Sequence, residues 1–173
     1  MNEDMSKVWI ITGPPASGKS SISCRLAEIS KNGAVINVDE IRHMIKGGYV
    51  APWIKSNNAE KQKNLAIRNA CTLANNFIKA GMDVFIDDVV IKKKYLNLYK
   101  RLLKKEIKIF LLLPSRKILA VRDKKREGGN YMGGRTLDLH KKFVELSSNI
   151  NWRVIDSTYL TINETIYKIL ESK

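Results

Sequence analysis

Lys7-Val8-Trp9-Ile10-Ile11-Thr12 runs directly into Gly13-Pro14-Pro15-Ala16-Ser17-Gly18-Lys19-Ser20, and this junction decides how the rest of the chain reads. A short apolar run of strand length meets a turn of pattern G-x-x-x-x-G-K-[ST]. Beyond the turn Ile22, Leu26 and Ile29 recur with a helical period. Glycines let the backbone curl so that successive N–H groups point inward, and the helix that opens there adds its positive end. A strand–turn–helix of this kind cradles nucleotide phosphates. The cradle spans Gly13, Pro14, Pro15, Ala16, Ser17, Gly18, Lys19, Ser20 and Ser21. Lys19 reaches the β- and γ-phosphates, and Ser20 can ligate Mg²⁺.

Outward from the junction, strands and helices alternate. Ala34–Val38 reads as a second strand, followed by a short helix, Glu40–Lys46, that Asp39 is expected to cap. A loop with Tyr49, Pro52 and Trp53 leads to a long helix over Asn57–Ala80, with Leu65, Ala66, Ala70, Leu73 and Phe77 on adjoining faces and Gly81 as its stop. Asp83–Asp87 is the third strand, Lys92–Lys105 a helix, and Ile107–Leu113 an apolar fourth strand. Helix resumes at Ser115 and again over Leu137–Ser148. Arg153–Asp156 is a fifth strand and Thr161–Leu170 a last helix. The alternation predicts one α/β domain over 1–173, a parallel sheet with helices on both faces and ligands at the carboxyl ends of the strands. Four glycines among residues 128–134 predict a small lid over about 122–140 that closes and excludes water.

Several side chains fall at that carboxyl edge. Asp39 can accept the proton of a hydroxyl attacking a γ-phosphate. Asp87, after the apolar Val84-Phe85-Ile86, is placed to support a metal, and Asp88 to face the acceptor. Arg122 and Arg126 share a helix face, Arg122 to lie on an adenine ring and Arg126 to neutralise phosphoryl charge. Arg135 and Trp53 complete the expected acceptor site, with Tyr49 and His43 nearby, while His140 reads as a surface residue of the lid helix.

The 173 residues carry 31 Lys+Arg against 17 Asp+Glu, a net +14. Residues 92–142 hold 17 of those cations and 4 of the acids, so one third of the chain carries a net +13. Such a concentration attracts polyanions, or serves only as a solvated face. No run is long enough to span a bilayer, and the opening residues do not read as a secretory signal. Cys24 and Cys71 form no spacing motif and read as buried free thiols of a cytoplasmic protein.

GPPASGKS, VDEIR with Asp39 and Arg42, DVFIDDVV, PSRKILAVRDKKR and VIDSTYLTINETIYKIL together resemble the P-loop kinase group that includes chloramphenicol phosphotransferase, gluconate kinase, the zeta toxin kinases and the polynucleotide 5′-kinases. The resemblance covers roughly residues 7–170. It implies a P-loop NTPase three-layer sandwich with sheet order 2-3-1-4-5, ATP with Mg²⁺, and transfer to an acceptor hydroxyl. It also implies Asp39 as general base, Arg42 beside the acceptor, Arg126 as a lid arginine, and Asp156–Thr161 as the segment bracketing adenine.

The acids after the third strand would repel an anionic acceptor, which points to a neutral sugar, nucleoside or antibiotic. Two alternatives stand beside that reading: a nucleic-acid 5′-hydroxyl kinase, motivated by the basic third of the chain, and a non-enzymatic ATP-binding switch. The sequence does not state the oligomeric form.

Overall fold

The computed structural model describes residues 6–126, 131–150 and 152–172. Five strands, β1 (Val8–Thr12), β2 (Gly33–Asn37), β3 (Asp83–Asp87), β4 (Ile107–Leu112) and β5 (Arg153–Ile155), form one parallel sheet in the order β2-β3-β1-β4-β5. The chain starts at the centre, and β1 is buried at all five positions because helices cover both its faces. α1 (Lys19–Ile29) and α7 (Ile162–Glu171) pack on one face against Trp9, Ile11, Phe85 and Phe110. α3 (Asn57–Lys79), α4 (Lys93–Leu102) and α6 (Gly134–Ser147) pack on the other, against Val8, Ile10, Val84 and Ile86. α2 (Val38–His43) and α5 (Arg116–Lys124) follow β2 and β4 at the carboxyl edge. This is the P-loop NTPase three-layer architecture, with the expected strand order.

Alternation along β3 matters most for the site. Val84, Ile86 and the following Asp88 turn toward α3 and α4, while Phe85 and Asp87 turn toward α1. Two adjacent carboxylates therefore sit in separate surroundings.

The structure corrects three local expectations. Asn37, not Asp39, caps α2: its side-chain oxygen accepts from the backbone N–H of Asp39 (3.0 Å) and Glu40 (3.3 Å). Both residue types cap well, so composition alone did not separate them. α3 buries Ala66, Ile67, Ala70, Cys71 and Ala74, leaving Leu65 and Leu73 half exposed. Close packing on the sheet selects the small side chains. Cys71 is buried as expected but Cys24 is exposed. Among the described residues no helix is long and apolar enough to cross a membrane. Gly128 and Gly129, central to the expected lid, lie outside the described residues.

Candidate active site

The cradle is built from backbone that few side chains tolerate. Gly13 sits at φ 151° and Gly18 at φ 96°, and Ala16 takes φ 62° despite its Cβ. At Gly13 a Cβ would collide with the Leu112 carbonyl oxygen and lie 2.8 Å from Ser17 Oγ, so β4 closes on the turn from behind. Lys19 is nearly buried, and its Nζ donates to the Pro14 carbonyl at 3.2 Å, across the mouth of the loop. Ser17 Oγ is buried without a hydrogen-bond partner among the described residues. A buried hydroxyl, a tethered ammonium and a ring of constrained amides suit a phosphate chain.

Ser20 Oγ donates to Asp87 Oδ2 at 2.5 Å, linking α1 to the end of β3. Burial pushes the Asp87 carboxyl up, opposed mainly by the Lys19 charge and then by the Ser20 hydrogen bond, with Asp39 close enough to add a small upward push. Among the described residues no group of three or more His, Cys, Asp or Glu side chains is placed to hold a metal. Two hard oxygens from Ser20 and Asp87 fit Mg²⁺, which takes few protein ligands and completes its shell with phosphate and water.

Beyond the cradle lies a cavity of about 280 Å³ whose lining includes Ser17, Ser21, Arg122, Ser157, Leu160 and Thr161. Arg122 is fixed there by a hydrogen bond from Nη2 to the Ser157 carbonyl at 3.0 Å. The 156–161 segment is itself braced: Asp156 accepts from the Thr158 backbone N–H at 2.9 Å, and Thr161 caps α7 reciprocally with Glu164. The cavity adjoins the cradle, and Ser17, Gly18, Ser21 and Arg122 line it together.

The acceptor side departs from expectation. Asp39 is exposed, and its carboxylate has no hydrogen-bond partner among the described residues, because Asn37 does the capping. Arg42, expected beside the acceptor, is only 2% exposed. It donates from Nη2 to the carbonyls of Val50 (2.8 Å) and Ala59 (3.3 Å). Gln62 grips the same loop from α3, donating to Gly48 O at 2.7 Å and accepting from Val50 N at 2.9 Å. The 47–56 loop is thus clamped from two elements. No sequence pattern marks carbonyl-directed contacts of this kind, and Gln62 and Lys63 carried no signal.

Asp88 is turned inward rather than toward an acceptor. It is ion-paired with Lys63, accepts from the Tyr99 hydroxyl at 2.9 Å, and is 2% exposed. Its negative charge is compensated by Lys63, so the repulsion of anionic acceptors expected from the Asp87-Asp88 pair reduces to Asp87 alone. Trp53 and Arg135 find each other: the guanidinium lies 4.2 Å from the indole ring centre, joining the start of α6 to the 47–56 loop. Arg126 is exposed at the end of α5, 3.5 Å from Asp123. His140 is half-buried, with Nε2 3.2 Å from the Pro114 carbonyl, anchoring α6 to the end of β4 instead of standing free at the surface.

Comparison with known proteins agrees with this fold. A family model described as an AAA domain matches residues 8–146. The fold is similar to a sugar kinase from Janibacter sp. HTCC2649 (TM-score 0.73, 15% identity, 96% of this chain and 93% of that one). It is equally similar to the tunicamycin resistance protein of Deinococcus radiodurans (TM-score 0.73, 13% identity, 96% and 95%). A gluconokinase from Sinorhizobium meliloti 1021 aligns at TM-score 0.67 and 18% identity, over 95% and 90%. No curated protein matches the chain by sequence. With most of its length matched by that model and its phosphate cradle intact, the chain belongs to the AAA-domain family, in its P-loop kinase-like form.

Proposed function

We propose that the protein is an ATP-dependent phosphotransferase that moves the γ-phosphoryl group to a hydroxyl of a small molecule, with Asp39 as the base. The observation that carries this reading is the freedom of Asp39. Asn37 satisfies the backbone N–H groups of the first turn of α2, so the Asp39 carboxylate is left available at the sheet edge that also carries Ser20 and Asp87. The solved kinases of the same fold support a phosphotransferase in general terms.

In this scheme the backbone N–H groups of Ala16, Gly18, Lys19 and Ser20 hold the phosphate chain, Pro14 and Pro15 having none to give, and Lys19 draws negative charge off its outer oxygens. Ser20 and Asp87 would hold Mg²⁺, which would supply charge neutralisation along the phosphate chain. Arg122, fixed by Ser157, covers the base. Asp39 takes the acceptor's proton as its oxygen attacks the γ-phosphorus, and the bond to the β–γ bridging oxygen breaks. Arg126 and Arg135 enter from the lid side, where exclusion of water protects the γ-phosphate from hydrolysis.

Asp39→Asn tests the reading directly. Turnover should fall by about 10²- to 10⁴-fold while nucleotide affinity stays within error, measured by single-turnover transfer and calorimetric titration. Unchanged turnover removes Asp39 from the chemistry. A panel of sugars, nucleosides, antibiotics and oligonucleotides with Mg-ATP, read as a phosphate mass gain, identifies the acceptor. Slow hydrolysis that no acceptor stimulates would favour the switch instead.

A further inference from the structure

The chain's excess charge is uneven between the two faces of the sheet, with a further exposed group, Arg116, Lys117, Lys124, Lys125 and Arg126, along and just beyond α5 at the carboxyl edge. On the α1/α7 side the helices and adjoining Lys31 expose Arg25, Lys31 and Lys168 against Glu28, Glu164 and Glu171, an even balance. On the other side, α3 exposes Lys61, Arg68 and Lys79, and α4 with its flanks exposes Lys92, Lys93, Lys94, Lys100, Arg101 and Lys104. Glu60 is the one acid within these two helices and is engaged by Lys92 (3.1 Å) and Lys94, and Glu106 is exposed just beyond Lys104. The remaining seven cations form no ion pair among the described residues.

These charges form one band. Glu60 joins α3 to the start of α4. Further along, the Asn75 amide donates to Leu102 O at 2.9 Å and accepts from Lys104 N at 3.1 Å, joining the same two helices at the end of α4. The helices therefore run side by side in one direction, about 15 Å along α4 alone. The α4 period places Tyr95, Leu96, Leu98 and Tyr99 inward and Lys93, Asn97, Lys100 and Arg101 outward. A solubilising surface gains nothing from segregating cations on one face while the opposite face is neutral, whereas a polyanion-binding surface requires it.

We propose that the outer face of α3 and α4 docks a nucleic-acid strand through its phosphates. The residues between the cations support that partner over others. Asn69, Asn76 and Asn97 are exposed there and can donate to phosphate and sugar oxygens. A lipid surface would call for an apolar stripe with Trp or Phe, yet the exposed apolar residues of α3 are Leu65 and Leu73, and the α4 tyrosines are buried. With no exposed aromatic platform on α4, binding runs through the backbone, tolerant of sequence and steep in salt. The band begins at Lys92–Lys94, just after Asp87 and Asp88, so a docked strand starts beside the phosphate cradle and leads away from it. The surface stands independently of the phosphotransfer reading.

The test is fluorescence anisotropy with a labelled 20-nucleotide RNA and a DNA duplex at 50 and 200 mM salt. It compares the native chain with two triple variants that each remove three charges. Lys100→Gln/Arg101→Gln/Lys104→Gln lies on the band; Arg25→Gln/Lys31→Gln/Lys168→Gln lies on the neutral side. The native protein should lose at least about tenfold in affinity across that salt step, a result that needs no variant. The band variant should bind at least about tenfold more weakly at 50 mM and lower the salt slope by about two. The neutral-side variant should change by less than about threefold. Absence of binding at 50 mM salt overturns the proposal, and so does equal loss in both variants. Tighter binding to phosphatidylserine vesicles than to either nucleic acid, abolished in the band variant, assigns the face to membranes and also overturns it.

Discussion

The donor side and the acceptor side of the proposed site are built by different means. On the donor side the working groups are backbone amides, held by Gly13, Ala16 and Gly18 at positive φ and by residues within a few positions of one another. On the acceptor side the working surface is a loop held from afar: Arg42 reaches Val50 and Ala59, Gln62 reaches Gly48 and Val50, and Trp53 meets Arg135. A site made of local backbone geometry survives as a motif while the rest of the sequence changes. A site made of long-range side-chain contacts can be retuned for a new acceptor by altering a few of them.

Removing Lys63 should give the largest effect. Lys63→Met leaves Asp88 buried and uncompensated, which should cost about 3–5 kcal/mol in urea melts. Lys63→Met/Asp88→Asn should recover more than half of that loss, and a double variant as unstable as the single would show that Lys63 acts through packing alone. Gly13→Ala comes next. It forces a Cβ into the Leu112 carbonyl at φ 151°, so stability should fall by about 1–3 kcal/mol and calorimetric nucleotide binding should disappear. Retained binding would mean that the cradle is less rigid than its geometry implies.

Trp53→Ala sharpens the contrast from the acceptor side. It removes a cation–π contact with Arg135 and should cost under about 1 kcal/mol, with nucleotide affinity unchanged. A change in nucleotide affinity would show that the two sides are coupled through the lid. The smallest effect is a difference in thiol labelling, with one reporter on each side. Cys24 on α1 is exposed and should react with a disulfide reagent at pH 8 in the native state. Cys71 on α3, its thiol pushed up to about 12 chiefly by burial and then by the Asp88 charge, should react only on unfolding. Faster Cys71 labelling in Lys63→Met, with Cys24 unaffected, would place the opening on the acceptor side.

How much of this was legible follows the same division. The strand–turn–helix junction and the bounds of β3 were readable, because periodicity and glycine placement are local properties, whereas the sheet order followed only from the resemblance to P-loop kinases. Arg42 could be located next to Asp39 but not oriented, since burial of a guanidinium depends on carbonyls 8 and 17 residues away. Asp88 was indistinguishable from Asp87 by type. Only the pleat of β3 and the distant Lys63 separate a carboxylate poised for metal from one sealed in the core. The Asp39 cap was misread because its neighbour Asn37 is an equally good acceptor.

The alternation of β3 also sets how this gene can tolerate length changes. Inserting or deleting a single codon in the turn at residues 80–82 would slip the strand by one position and turn each aspartate to the opposite face. The lone acid would then meet α3 without Ser20, and the sealed one would open toward the phosphates. Frame-preserving indels should therefore be rarer in that short turn than in the 47–56 loop, although both lie outside regular structure.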